Sequence, residues 1–504
     1  MGLLDGLWIG IQTALSVEGL LFCLAGVVMG TFIGVLPGVG PLATIAILLP
    51  LTFNAEPQFA LIMLSGIYYG AQYGGSTASI LLNLPGTATN AVTCLDGYPM
   101  AQQGRAGVAL LLTKMASFTG SLLGVLLIGG FAPILAAFAL EFSAADYFSL
   151  MLLGLVAAAM ISRGSPLMSI AMVFIGLVLG LVGVDVNTAE FRFTYGSIEL
   201  ADGIHLVVVA TGMFGVSEII SNAGSIAEAQ ITKADLKFRN MLPTRDDLRR
   251  MWKPILRGTG VGAGFGILPG TGSTIASFVA YALETKITKT PERFGKGAVE
   301  GVVAPESANN AAAQTAFIPT LTLGVPGDAV MALMLGALMI HGLIPGPTLI
   351  TEHPDIFWGL VVSFLIGNLI LVIVNVPLIG VWVRLLSIPY VVLYPSILVF
   401  ICIGVYSIRN SAFDVFCMLA FGVVGYLMRL LRFQPAPLLL GLVLGPLMEE
   451  NFRRAMLLSR GSLTTFFERP ISLIFIVATI GFLVASFVRY YRSRSVSSDA
   501  SGSE

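Results

Sequence analysis

The octet Gly34-Val35-Leu36-Pro37-Gly38-Val39-Gly40-Pro41 lies inside the first apolar segment of the chain. A near copy, Gly266-Ile267-Leu268-Pro269-Gly270-Thr271-Gly272-Ser273, stands at an offset of 232 from Pro37 to Pro269. Each places helix breakers where a lipid-facing helix should have none. Interrupted backbone at membrane depth is tolerated only where it is buried in protein or lines a wet cavity. A matched pair, one in each half, is the sequence pointer to a transporter's binding site. The pattern predicts an all-α integral membrane protein with two inverted repeats, each containing a re-entrant hairpin and a broken helix.

Composition agrees. Of 504 residues, 56% are hydrophobic and 11% charged, and mean hydropathy is +0.90; soluble domains carry roughly 25% charge. The apolar runs are long rather than alternating, so they read as helices and not barrel strands. The net charge of −1 gives a nucleic-acid partner no support. Cys23, Cys94, Cys402 and Cys417 lie in apolar segments without metal-ligand spacing and read as small core residues. The first ten residues contain no Lys or Arg, so the first helix is expected to persist rather than be removed as a signal peptide.

The apolar segments amount to about a dozen helical elements at roughly 20 residues per span. Basic loops mark the cytoplasmic side. Lys233 to Arg257 holds eight Lys and Arg, and Lys286, Lys289, Arg293 and Lys296 follow the second octet. Both flanks of that octet therefore lie on one side. The arms 257–268 and 273–284 are about 12 residues each, roughly 18 Å, too short to cross a core of about 30 Å. A re-entrant hairpin follows, with two short tilted spans as the alternative. The first octet has no basic flank, so its hairpin is expected to enter from outside. The acid-rich loop with Asp185, Glu190, Glu199 and Asp202 is the candidate external loop. The expected organisation is a first repeat half with scaffold helices (1–220), a basic cytoplasmic linker (221–257), a second hairpin and broken helix (258–350), scaffold helices (351–490) and a disordered tail (491–504).

A second repeated element strengthens the reading. Ile80 to Asn90, with Leu84-Pro85-Gly86-Thr87, resembles Thr320 to Val330, with Val325-Pro326-Gly327-Asp328; the offset from Pro85 to Pro326 is 241. Where Pro and Gly stop a helix, the restarting half presents free N–H groups and a positive dipole end. That is an anion site without Lys or Arg, while carbonyls of the preceding half can hold a cation. Candidate substrate-binding residues are Gly38, Val39, Gly40, Thr87, Thr89, Asn90, Gly270, Thr271, Gly272, Ser273, Asn309 and Asn310. Candidate cation-binding residues are Pro85, Gly86, Thr322, Pro326, Gly327 and Asp328. Asp328 is the one acid placed at a break in an apolar run, able to hold Na⁺, carry a proton or simply cap the restarting helix. No catalytic constellation, metal-ligand set or phosphate-binding G-x-x-x-x-G-K is present. The expectation is a transporter and not an enzyme, with no cofactor.

The chain resembles, over nearly its whole length, the large membrane subunit of the tripartite tricarboxylate transporters, the TctA family. The resemblance is carried by LPGVGP (36–41), LPGTGS (268–273), YYGAQYGGSTASILLNLPG (68–86), APESANNAAAQTAFIPTLTLGVPG (304–327) and GALMIHGLIPGP (336–347). It implies a multi-pass protein of the bacterial inner membrane that imports citrate or another di- or tricarboxylate by symport. The implied coupling ion is Na⁺, with H⁺ the alternative. Implied partners are a small four-helix TctB-like membrane subunit and a TctC-like periplasmic solute-binding protein, besides membrane lipid. A homodimeric scaffold follows only by analogy with other carboxylate carriers. The rival reading is an anion channel, or another metabolite carrier, using the same half-helix dipoles.

Overall fold

A hydroxyl caps the first arm of each hairpin. Ser16 Oγ accepts from Gly19 N (3.0 Å) at the start of helix Val17–Gly34. Thr244 Oγ1 accepts from Asp247 N (3.2 Å) at the start of Arg245–Ile267, and Asp247 accepts in return from Thr244 N (2.9 Å). This reciprocal pair satisfies two otherwise orphaned N–H groups. Arg105 clamps the same carboxylate with two bonds of 2.8 and 2.7 Å.

The computed structural model describes residues 2–501 apart from 37, 162–164, 186–187, 223–240, 269–271 and 386–389. It is helical almost throughout. The strands among the described residues are Gly183–Val184 and Phe191–Arg192, an antiparallel pair in the acid-rich loop. Val17–Gly34, Ala91–Ala139, Pro354–Asn375, Ala412–Leu430 and Pro470–Val488 are long and apolar enough to cross a membrane. The chain is an all-α membrane protein.

The second hairpin is longer than composition predicts. Its arms are Arg245–Ile267 (23 residues) and Gly272–Ile287 (16 residues). Residues 245–257, assigned to the linker for their charge, form the opening turns of the arm because the Thr244–Asp247 cap nucleates helix there. The last helix, Pro470–Ser501, likewise continues into the Ser-rich end of the chain.

Each arm packs on the long helix that follows its hairpin: Val17–Gly34 on Pro57–Leu82, and Arg245–Ile267 on Val299–Thr315. Glycines every four residues bring the backbones together. A Cβ on Gly26 would lie 2.2 Å from Met63 O, on Gly30 2.2 Å from Ile67 O, and on Gly34 2.4 Å from Ala71 Cα. In the second half a Cβ on Gly258 would lie 2.3 Å from Ala304 O, on Gly262 2.2 Å from Ala308 O, and on Gly266 2.4 Å from Ala312 O. The arm glycines differ by 232 in number and their partners by 241, the two offsets read from the sequence.

The breaks match as well. Asn83 (φ 56°) and Gly324 (φ 67°) end their helices in the left-handed conformation that Asn and Gly tolerate best. Pro85-Gly86 and Pro326-Gly327 follow, and the chain restarts as Ala91–Met100 and Ala329–Ile340. The two long helices cross in opposite directions. Tyr68 meets Phe317 (ring centroids 6.5 Å apart), Tyr69 bonds Gln314 (2.9 Å) and Gln72 bonds Asn309 (3.2 Å), so numbering rises on one helix as it falls on the other.

Around this centre, Ala106–Ala139 lies on the second long helix, and Pro354–Asn375 packs on Leu3–Ala14 and on the first long helix. Ala436–Leu458 packs closely on Pro166–Gly180, and Pro470–Ser501 on Ala144–Ile161.

Gly262→Ala is expected to destabilise the protein by about 1–3 kcal/mol, since its methyl would meet a backbone carbonyl that cannot move aside. Gly264→Ala, which meets nothing within 4 Å, is the control and should not lower stability. Thermal unfolding of the two variants in detergent measures the difference; equal midpoints would show that the helices need not approach this closely.

Candidate functional site

The hairpin tips and the breaks meet at two adjoining cavities. The first, about 530 Å³, is bordered by Gly40 of the first tip, Gly272, Ser273 and Thr274 of the second, Thr87 to Thr89 of the first break, and Asp328 to Val330 of the second. Tyr68, Gln72, Gln434 and Ala436 complete its polar and C-terminal walls. The second, about 750 Å³, shares Gly40, Thr87, Ala88 and Gln434 and adds Gly38, Pro85, Gly86, Glu218, Arg429 and Arg432.

The chain folds this way locally because each break solves the same bonding problem. Thr87 Oγ1 accepts from Asn90 N (3.3 Å) and Asp328 Oδ1 from Met331 N (2.9 Å). Asp328 caps its restarting helix and satisfies one free N–H there, whereas Thr87 closes the turn that leads into Asn90, the residue before Ala91–Met100. Thr87 Oγ1 lies 2.6 Å from Thr89 Oγ1, and Thr89 donates to Gln72 Oε1 (3.1 Å). Gly38 turns the first tip with φ +85°, a conformation open to glycine.

Of the sequence candidates, Gly38, Gly40, Pro85, Gly86, Thr87, Thr89, Gly272, Ser273 and Asp328 border these cavities. The others do not. Val39 is buried in the apolar core. Asn90 faces away from the cavity, accepting from Thr87 Oγ1 (2.5 Å) and donating to Glu306 Oε1 (2.7 Å). Asn309 and Asn310 lie behind the wall, donating to Gln72 (3.2 Å) and Ser117 (2.8 Å) respectively. Thr322 bonds Ile318 O within its own helix (2.7 Å). Pro326 and Gly327 are buried, and Gly327 packs on Ala316 and Gly266. Gly270 and Thr271, with Pro269, lie outside the described residues.

Behind the wall stands a charged layer absent from the sequence candidates. Glu306, 1% exposed, accepts from Asn90 and Thr93 (2.7 Å each) and from Ser117 (3.2 Å). Lys114, also 1% exposed, donates to Tyr73 O and to Ser76 Oγ (2.9 Å), and supplies an opposing charge to Glu306. Lys114 was findable: it is the sole charged residue between Ala106 and Ala139, and an ionisable group in such a run marks a polar interior. Tyr68 and Gln72 lie inside the quoted 68–86 motif. Gln434 carries no local signal, since it reaches the cavity from a distant helix start.

Glu306→Gln leaves Lys114 without its counter-charge, while the amide oxygen can still accept from Asn90 and Thr93 and the N–H₂ can turn to Ser117 Oγ. A loss of about 3 kcal/mol is expected, read as a lower unfolding midpoint. Adding Lys114→Met should recover part of it; strictly additive losses would show that the two charges do not interact.

Residues 20–440 match the tripartite tricarboxylate transporter TctA family. The "Uncharacterized 52.8 kDa protein in TAR-I ttuC' 3'region" of Agrobacterium vitis is 48% identical over 494 residues, covering 98% of each chain. The "Uncharacterized protein in TAR-II ttuC' 3'region" of the same organism is 54% identical over 211 residues, 42% of this chain and 87% of its own. No solved structure matches the chain. With the match running through both hairpins, both breaks and the helix that closes the cavity, the chain belongs to the TctA family and is a membrane component of a tripartite transporter.

Proposed function

We propose that the chain carries a di- or tricarboxylate of the citrate type into a bacterial cell across the inner membrane, coupled to a cation. Na⁺ is the expected coupling ion. A TctC-like periplasmic protein delivers the substrate, and a TctB-like four-helix subunit completes the assembly. The single observation that supports this reading is the convergence of residues from two hairpin ends and two helix breaks on one polar cavity. The first residues of Gly272–Ile287 and of Ala329–Ile340 border it and bring helix N-termini there, which suits an anion at a depth where a lone cationic side chain would be costly. The antiparallel crossing of the long helices supports inverted halves, the first hairpin entering from outside and the second from the cytoplasm. Thr87, Thr89, Ser273 and the tip glycines would hold carboxylates. Asp328 and nearby carbonyls would hold the cation.

The test is reconstitution of this chain with its two partner subunits in proteoliposomes. Uptake of labelled citrate, or of another carboxylate from a panel, should saturate and should stop when the Na⁺ gradient is collapsed. A conductance that ignores the gradient would instead mean an anion channel. Thr89→Ala should raise the half-saturating substrate concentration about tenfold, the loss of one hydrogen bond to a charged group; wild-type kinetics would remove Thr89 from the site.

A further inference from the structure

We infer that Arg432 binds a carboxylate of the substrate on the cytoplasmic side, as the anion leaves the first cavity through the second, a subsite that rests on the carrier reading above and its orientation.

Helix Ala412–Leu430 begins beside the acid-rich loop, where Arg409, just before it, donates to Asp202 (2.7 Å). The helix is long and apolar enough to cross a membrane, so Arg432, just past its other end, stands on the side opposite that loop. The apolar run Leu206–Asn222 likewise starts at the acid-rich loop and ends at the basic linker, the mark of the cytoplasmic face. Glu218 of that run pairs with Arg429, which brings the two ends together.

The second cavity, about 750 Å³, lies between these ends and the first break, Pro85 to Ala88. It shares Gly40, Leu42, Thr87, Ala88, Gln434 and Ala436 with the first cavity, so an anion released from the hairpin ends has this way to the cytoplasm. The charged residues on its wall are Glu218, Arg429 and Arg432. Glu218 is spent on Arg429 and also accepts from Asn222 Nδ2 (2.8 Å). Arg432 is exposed and enters no ion pair among the described residues. The wall therefore carries one uncompensated charge, and it is positive. A guanidinium presents two parallel N–H groups that match a carboxylate, and its exposure spares it the desolvation cost of a buried cation.

Arg432 holds its place against backbone preference. It takes the left-handed position (φ 61°) after Ala412–Leu430, closed by Arg432 N donating to Arg429 O (3.0 Å) and Phe433 N to Met428 O (2.8 Å). Glycine is the favoured residue there. Arg460 fills the same position after Ala436–Leu458 (φ 53°) and borders neither cavity. The turn alone does not call for the charge. The cavity distinguishes the two arginines, and Arg460 serves as the control.

The experiment uses the membrane subunits in proteoliposomes, with the binding protein outside and unlabelled citrate inside. Only complexes whose external face points outward are then driven, so internal citrate meets their cytoplasmic face. The readout is the internal citrate concentration that half-maximally alters uptake of labelled citrate. Arg432→Gln should raise it about fivefold, the effect of losing one exposed ion pair, and should shift the external half-saturating concentration less. Arg432→Lys, which keeps the charge but not the paired N–H groups, should fall between. Choline chloride inside the vesicles should raise the wild-type value and barely move that of Arg432→Gln. Arg432→Gly should act as Arg432→Gln does while raising the unfolding midpoint in detergent, whereas Arg460→Gly should raise the midpoint alone. Unchanged internal values for Arg432→Gln and Arg432→Gly, or shifts equal on the two faces, would overturn the subsite and leave the carrier intact; so would wild-type uptake that internal citrate never alters. Wild-type vesicles that take up no di- or tricarboxylate of a panel would sink the carrier reading, and the subsite with it.

Discussion

The closest distance at which two helix backbones can lie governs this fold. Glycine at every fourth position lets each hairpin arm rest on the backbone of the helix that follows it. The last glycine of each series then touches two things. Gly34 packs on Ala71, and its carbonyl lies 3.1 Å from where a Cβ on Gly86 would stand; Gly266 packs on Ala312 in the same way, with its carbonyl 3.4 Å from the equivalent point on Gly327. One residue thus sets the distance between tip and break in each half. With lipid offering no hydrogen bonds, that tight packing is also what shields the interrupted backbone.

Polar groups join the halves across this scaffold. Asn90 and Thr93 of the first half reach Glu306 of the second, Gln72 links Thr89 to Asn309, and Tyr69 bonds Gln314. Such links are worth making only where each donor finds its acceptor, because an unpaired group in a low-dielectric interior is costly. Asn309, Asn310 and Gln314 each still hold one unpartnered polar atom. All three are buried, so these atoms are the polar network's remaining bonding capacity.

Much of this was legible in the sequence because breakers are local. Pro and Gly act on their own backbone, so two offsets read from the tips and breaks reappear as two columns of contacts. Side-chain direction was less legible. Asn309 and Asn310 sit among alanines and look like ligands, but packing turns one toward Gln72 of the first long helix and the other toward Ser117 of Ala106–Ala139. Thr322 shows the other failure: a hydroxyl within a helix bonds the carbonyl one turn back when nothing else competes. The length of the second arm was written in Thr244-x-x-Asp247, a capping signal that the surrounding charge obscured. Gln434 was beyond local reasoning, since only the packed structure brings it to the tips.

The charge arrangement explains why the site can be built from backbone at all. A full positive charge facing the cavity would attract a carboxylate strongly but would need its own counter-ion while the site was empty. The chain does contain a buried ammonium, Lys114, and keeps it behind the wall with Glu306 as its opposing charge. Partial charges at helix ends need no such partner, because they are already part of a hydrogen-bonded helix. On the proposed reading they would attract an anion without the desolvation cost of a lone lysine or arginine, and hold it loosely enough for a carrier to release. The guanidinium of Arg432 borders the adjoining cavity and is itself exposed, where water screens it. For the carboxylate carrier proposed above, a screened full charge beside one cavity and partial charges beside the other would draw an anion in without trapping it.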